Sequence, residues 1–293
     1  MSTHDVIIVG GSYAGLAAAM QLGRTRRRVV ILDAGKRRNE TVEHAHGLLG
    51  ADGESPAAIA AKGRAQALAY PTVELVAASA TEARRTRDGF EVRAGDATFT
   101  SKRLVLATGV RDELPEIPGL RERWGKTAFS CPYCDGYERN RGKLGVIGAG
   151  EGAMHYAPLV ADWSAPGGTT FFGDVEPPRV EVEHEPISHV EDAPSGIAVV
   201  TRSGRRYELA GLFVMTRTHL PGDFARELGC ELEQGPGGPF YKTDPRTKET
   251  TVPGVYACGD AASGAHAVTF AIADGARAGI GVHQSLVFDA PPR

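Results

Sequence analysis

A chain of 293 residues is long enough for two domains with separate cores, and its 33 basic residues nearly offset its 36 acidic ones, leaving a formal charge of −3. That balance speaks against nucleic acid and against a membrane surface as partners. Four cysteines, two of them in one short motif, do not make the framework of a secreted disulfide-stapled domain. Only a few residues precede the first apolar run, so neither a secretory leader nor a transmembrane span is expected, and the reading is of a cytoplasmic globular protein.

The first element is the apolar run Val6 to Val9, as expected of a strand buried on both faces. It leads into Gly10-Gly11-Ser12-Tyr13-Ala14-Gly15 and a helix-forming stretch to about Arg24. Strand, glycine turn and helix in that order form a dinucleotide-binding turn, in which the backbone approaches a pyrophosphate held on the helix N-terminal N–H groups. Ser12 stands where the Gly-x-Gly pattern has its second glycine. A second strand, Val29 to Leu32, ends at Asp33, placed to bind a ribose hydroxyl. The segment from Asn39 to Tyr70 contains His44-Ala45-His46-Gly47 and then an Ala-rich helical run, about Pro56 to Leu68. The i, i+2 spacing of the two histidines does not put them on one helix face, and their role stays open between packing and contact with a ligand. Short strand signals follow at Val73 to Ala77, Ala80 to Arg85, Phe90 to Ala94 and Ala97 to Thr100. With the turn dipeptides Asp88-Gly89 and Gly95-Asp96 between them, they predict an antiparallel excursion. Leu104 to Ala107 then returns to the parallel sheet, and Thr108-Gly109 is expected to turn near bound cofactor.

Pro115 and Pro118 mark a linker. Beyond it lies Cys131-Pro132-Tyr133-Cys134-Asp135-Gly136-Tyr137-Glu138. So short a loop between cysteines removes little unfolded-chain entropy, which favours a redox couple over a structural staple. Asp135 offers a carboxyl group for moving the proton during thiol exchange. Cys230 and Cys258 have no His or Cys partner at ligand spacing, so no metal is expected. A second glycine turn, Gly148-Ala149-Gly150-Glu151-Gly152-Ala153, follows the strand at Leu144 to Ile147, with a partner strand at Thr169 to Phe172 ending in Gly173-Asp174. Pro158 is expected to kink or shorten the helix after that turn. No arginine follows the partner strand until Arg179, although a 2′-phosphate calls for one. Strand signals without a helix fill Phe172 to Leu212, and Pro236, Pro239 and Pro245 punctuate a second linker. Finally Thr251 to Asp260 reads as a strand ending in Gly259-Asp260, placed to hold a ribityl or pyrophosphate group, before a largely helical stretch from Ala261 to Gly281.

This order of motifs resembles the low-molecular-weight thioredoxin reductase family of flavoproteins over nearly the whole chain. The resemblance implies an α/β fold of two Rossmann-like, three-layer dinucleotide-binding domains, the second inserted into the first and shortened. Residues 1–113 and 245–293 would form a discontinuous FAD-binding domain, and 114–244 an NAD(P)-binding-like domain carrying the cysteine pair. Carried over by motif, FAD falls to Gly10, Gly11, Ser12, Ala14, Gly15, Asp33, Ala107, Thr108, Gly109, Gly259 and Asp260, with His266-Ala267-Val268 near the isoalloxazine ring. Cys134 would face the flavin, Cys131 would exchange with substrate, and Asp135 would be the acid/base. A homodimer is implied as well.

The missing basic cluster after Phe172, the shortened second domain and the aromatic wording around the cysteines are most similar to the branch of gliotoxin-, holomycin- and depsipeptide-type dithiol oxidases. Those enzymes close a disulfide in a small molecule and pass electrons through FAD to oxygen. The expectation is therefore oxidation of a small-molecule dithiol with O2 as acceptor. An NAD(P)H-dependent disulfide reductase is the alternative, and a flavin-binding redox sensor the alternative from another class.

Overall fold

The computed structural model describes residues 3–289. The chain divides into two compact units, one of Met1–Arg38, Ala57–Arg111 and Thr218–Arg293, the other of Asn39–Pro56 and Asp112–Arg217.

In the first unit, strand β1 (Thr3–Val9) runs into helix α1 (Tyr13–Arg24) and strand β2 (Val29–Leu32). Helix α2 (Pro56–Leu68) and strand β3 (Val73–Val76) follow, then β4 (Ala80–Thr86), β5 (Gly89–Ala94) and β6 (Ala97–Leu106). The sheet order is β3-β2-β1-β6-β5-β4, with Val255–Ala257 as a seventh strand beside β6. β1, β2 and β3 are parallel, as is the last half of β6 with β1, while β4 and β5 are antiparallel to their neighbours. Alternation along β1 explains its unbroken apolar run. Ile7 and Val9 point into a core with Phe90, Val92, Leu104 and Tyr241, whereas Val6 and Ile8 face Leu16 and Leu22 of α1 and Ala278 and Val282 of the C-terminal helix Val268–Phe288.

Two expectations change here. The stretches Ala97 to Thr100 and Leu104 to Ala107 are one continuous strand, because β6 pairs with β5 over its first half and with Val255–Ala257 over its second. The second boundary falls after Arg217 rather than at 244, since Phe224, Leu228, Cys230 and Tyr241 all pack into the core beside Ile7 and Val9.

The second unit has a five-stranded parallel sheet ordered Glu181–Glu183, Thr169–Phe172, Leu144–Ile147, Gly211–Val214, Ala128–Phe129. One face is covered by the helix Gly150–Ala161, through Ala153, Ala157 and Val160 against Val146 and Phe171. The other is covered by a three-stranded antiparallel sheet, Ile187–Ala193, Gly196–Thr201 and Arg206–Leu209, through Val190, Ile197 and Leu209. That small sheet takes the place of the helical layer missing from the sequence between Phe172 and Leu212. The helix is not shortened by Pro158 and runs on to Ala161. The residue whose carbonyl loses its partner, Met154, is exposed. Residues 39–56, read as part of the first domain, belong to this second unit. Gly125 lies so close to Thr41 that a Cβ added to it would meet the threonine Oγ1 at 2.3 Å.

Among the described residues no helix is long and apolar enough to cross a membrane. Nor does any group of three or more His, Cys, Asp or Glu side chains among them form a metal site.

Candidate functional site

The cysteine motif starts where the edge strand Ala128–Phe129 ends. Cys131 is extended and caps a four-residue helical turn, Pro132–Asp135, whose first residue is the buried Pro132. Proline is preorganised for that position and has no N–H to leave unpaired. The Cys134 and Asp135 N–H groups both donate to the Cys131 carbonyl, at 3.1 and 3.2 Å, and Cys131 and Cys134 are joined by a disulfide. Tyr156, from the helix Gly150–Ala161, donates its hydroxyl to the Ser130 carbonyl at 2.8 Å and so fixes the backbone immediately ahead of Cys131. Trp163 closes the other side: it stacks edge-on against Tyr133 with ring centroids 5.1 Å apart, and its ring lies 2.6 Å from where a Gly136 Cβ would be.

Burial pushes the Asp135 carboxyl up to about 6, with nearby Glu138 pushing the same way and Arg139 and His46 pulling against them. Burial, helped by the charge of Asp135, likewise raises the Tyr156 phenol well above its ordinary range, so it stays a neutral donor. Asp135 therefore changes charge close to neutral pH, as suits a group that takes and returns a thiol proton. The remaining cysteines do not fit that work. Cys230 and Cys258 are buried, and burial raises both thiols, Cys258 to about 12.

In the first unit the structure brings Gly10, Ala14, Ala107 and Gly259 together. Gly10 has a φ of +103°, and a Cβ there would lie 2.2 Å from the Ala107 carbonyl oxygen; one on Gly259 would lie 2.8 Å from the Ala14 Cβ. Ser12 caps α1 without a side-chain hydrogen bond, and the first turn carries no acidic residue. A positive helix end with no carboxylate of its own is suited to an anion such as a pyrophosphate. Asp33 accepts from the Gly11 N–H at 3.2 Å and pairs with Arg64 at 3.3 Å. Asp260 is paired with Arg38 at 2.9 Å. Thr108 donates to the Gly109 carbonyl at 3.3 Å. Ala267 caps the C-terminal helix, of which Val268 is the first residue, and the His266 Nε2 lies 3.0 Å from the Ser263 carbonyl. The glycine turn, a helix end without a side-chain cap bond or a first-turn acid, and the nearby Asp33 and Asp260 fit a dinucleotide such as FAD.

The second glycine turn is built differently. Met215, following the strand Gly211–Val214, packs against two of its glycines: its Sδ is 2.7 Å from a Cβ built on Gly148 and its Cε 2.8 Å from one built on Gly152, while a Cβ on Gly150 would meet nothing within 4 Å. The helix leaving this turn carries Glu151 in its first turn. At the end of the partner strand, the Gly173 carbonyl faces His184 at 3.0 Å, which in turn pairs with Glu176 at 2.8 Å.

Sequence reasoning missed Tyr156, Met215 and the company kept by His46. The first two carry no motif signal, but the Asp52-Gly53 turn after His44-Ala45-His46-Gly47 marked a tight loop there.

The sequence pattern of the pyridine nucleotide-disulphide oxidoreductase family matches residues 4–165. Thioredoxin reductase sirT of Leptosphaeria maculans is 30% identical over 96% of this chain and 94% of its own. The crystal structure of an oxidoreductase from Agrobacterium tumefaciens superposes with a TM-score of 0.92 at 45% identity, covering 99% of this chain and 100% of its own. The crystal structure of HlmI gives a TM-score of 0.89 at 33% identity, over 97% of this chain and 93% of its own.

Proposed function

Because the chain belongs to the pyridine nucleotide-disulphide oxidoreductase family, as an oxidoreductase of the thioredoxin reductase-like kind, we propose that it is an FAD-dependent dithiol oxidase. It closes a disulfide in a small molecule and passes the electrons to oxygen.

The chemistry starts from the oxidised pair. One thiolate of the substrate attacks a sulfur of the Cys131–Cys134 disulfide, the bond between the cysteines breaks, and a mixed disulfide forms. The second substrate thiolate then attacks the substrate sulfur of that mixed disulfide. The product leaves with its own S–S bond, and two electrons and two protons remain on the cysteine pair. Asp135 accepts the thiol proton at the attacking step and returns it to the leaving cysteine sulfur. Pro132 and the Tyr156–Ser130 hydrogen bond hold the backbone that carries both sulfurs. When bound, FAD supplies the two-electron acceptor and the route to oxygen, with peroxide as the reduced product.

The observation that carries the oxidase reading is Glu151 in the first turn of the helix Gly150–Ala161, beside the second glycine turn. A pyrophosphate would meet that carboxylate at the helix N-terminus, while Met215 packs against Gly148 and Gly152 and leaves Gly150 open. That carboxylate weighs against a nicotinamide as electron partner. Oxygen uptake and peroxide release with a small dithiol, measured beside anaerobic flavin bleaching by NADPH and NADH, tests the proposal. Dithiol-dependent oxygen consumption without nucleotide bleaching is expected. Rapid bleaching by a nucleotide with negligible oxygen uptake would establish the reductase instead, and absence of turnover with every dithiol would favour a redox sensor.

A further inference from the structure

The loop from Ala45 to Glu54 is far from the cysteine motif in sequence but belongs to the same unit. It is tied shut by its own backbone, with the Ala45 N–H donating to the Glu54 carbonyl and the Gly53 N–H to the Ala45 carbonyl, both at 2.9 Å. Asp52 adds a side-chain anchor, accepting from the Gly47 N–H at 2.7 Å. The same carboxylate stands 3.6 Å from the Nδ1 of His46, whose Nε2 stands 3.4 Å from Glu138. His44 has a different task, with its Nδ1 3.0 Å from the Gly53 carbonyl. His46 is half-buried and held between two carboxylates, one on its own loop and one on the turn Tyr137–Arg139 that directly follows the redox motif.

We propose that His46 is a positioning residue for the exchange reaction: oriented by Asp52, it holds Glu138 and sets the charge around Asp135. The inference rests on the reading of Cys131–Cys134 as the exchanging disulfide. Four groups act electrostatically with Asp135: Glu138 and Arg139 from the following turn, His46 from the loop, and Tyr156 from the helix Gly150–Ala161. Arg139 is a permanent cation and Tyr156 stays neutral, so the charges a substitution can alter without touching Asp135 are those of the His46–Glu138 pair. A protonated His46 favours ionised Asp135 directly, and it also offsets the like charge of Glu138. Removing the imidazole takes away the first effect and leaves Glu138 uncompensated. Removing the Glu138 charge acts in the opposite direction.

The test is the pH dependence of disulfide reduction by dithiothreitol in the full-length protein without oxygen, followed by bleaching of bound flavin and by the release of thiols. The wild-type rate should rise through a midpoint near the Asp135 value of about 6. In His46→Gln the midpoint moves up, and in Glu138→Gln it moves down, each by roughly half a pH unit or more. Asp52→Asn keeps the imidazole but frees it, and moves the midpoint up by less; together with Glu138→Gln it carries the test if His46→Gln does not fold. A residue with a purely structural role would lower rates without displacing the two midpoints in opposite directions. A normal wild-type profile with an unmoved midpoint in His46→Gln, or displacement of both variants in the same direction, overturns this inference alone. A wild-type disulfide that dithiothreitol does not reduce at any pH overturns the exchange reading itself and this inference with it.

Discussion

The thioether of Met215 lies over the α-carbon of Gly148, its sulfur 2.7 Å from the position a Cβ would take there. Met215 thereby packs against Gly148 and Gly152 of the second glycine turn and leaves Gly150 open. Truncation in Met215→Ala uncovers the glycines while deleting a half-buried side chain, at a cost of about 2 kcal/mol in stability. The expected outcome is a gain in affinity for NADH or NADPH over wild type, larger when Glu151→Gln is added, measured by nucleotide titration. Dithiol oxidation should continue in both proteins. No gain in either would remove Met215 and Glu151 as reasons for nucleotide exclusion.

Asp135 gives a prediction in pH. Its carboxyl is raised by burial to about 6 from an ordinary value of 3.8, so between those limits the folded protein holds a proton that the unfolded chain has lost. Unfolding then takes place with net proton loss, and this group's contribution to stability falls as pH rises from about 4 to about 6. Asp135→Asn should be free of that decline, so its melting temperature should gain on wild type between pH 4 and pH 7. Turnover of the same variant should fall by roughly 10²- to 10⁴-fold, and its rate should lose the inflection near pH 6. An unaltered pH–rate profile would move the acid/base role to another group.

Thiol counting separates the cysteines. After mild reduction, the native protein should expose two thiols to an alkylating reagent, Cys131 and Cys134, and release Cys230 and Cys258 only on unfolding, because both are buried with raised thiols. Cys134→Ser and Cys131→Ser should each abolish dithiol turnover, since neither sulfur completes the exchange alone. Four rapidly reacting thiols in the reduced native protein would contradict this assignment.

Gly10→Val tests the first glycine turn. The substitution places a branched side chain at a φ of +103° and against the Ala107 carbonyl. Strain and clash together should cost about 3 kcal/mol or more and prevent backbone approach to a pyrophosphate. The purified variant should carry little or no flavin, as read from its visible absorbance after reconstitution with FAD. Full flavin occupancy would show that the dinucleotide sits elsewhere.

Legibility in the sequence followed the range of the interactions. β1, β2 and the turn between β1 and α1 could be read directly, because a strand covered on both faces must be continuously apolar and the residues that form the turn are adjacent in the chain. The pairing of Cys131 with Cys134 was legible for the same reason. β6 was read as two pieces because Ser101-Lys102-Arg103 breaks its hydrophobic pattern. Its continuity comes from backbone pairing with β1 from Thr100 to Leu106 and with two different strands on its other edge, which hydropathy does not register. His46 and Met215 lay beyond reach since each meets its partner across long stretches of chain, His46 at Glu138 and Met215 at Gly148. The second domain boundary was misjudged because the prolines around Pro236 suggested a linker, while Phe224, Leu228 and Tyr241 on both sides of them pack into the first core.

The pairing of Val255–Ala257 with Leu104–Leu106 bears on the order in which the chain matures at the ribosome. The first sheet lacks a buried strand, and its α1 face lacks the helix Val268–Phe288, until synthesis has passed Ala257 and Phe288 respectively. The second unit, by contrast, has every strand of its parallel sheet in hand once Val214 has emerged. At elongation rates of roughly 5–20 residues per second, the second unit has several seconds in which to fold while the first waits with an apolar face uncovered. The unit whose chain begins first is thus the one completed last, and its exposed half-sheet is the interval in biosynthesis most open to aggregation and to chaperone binding.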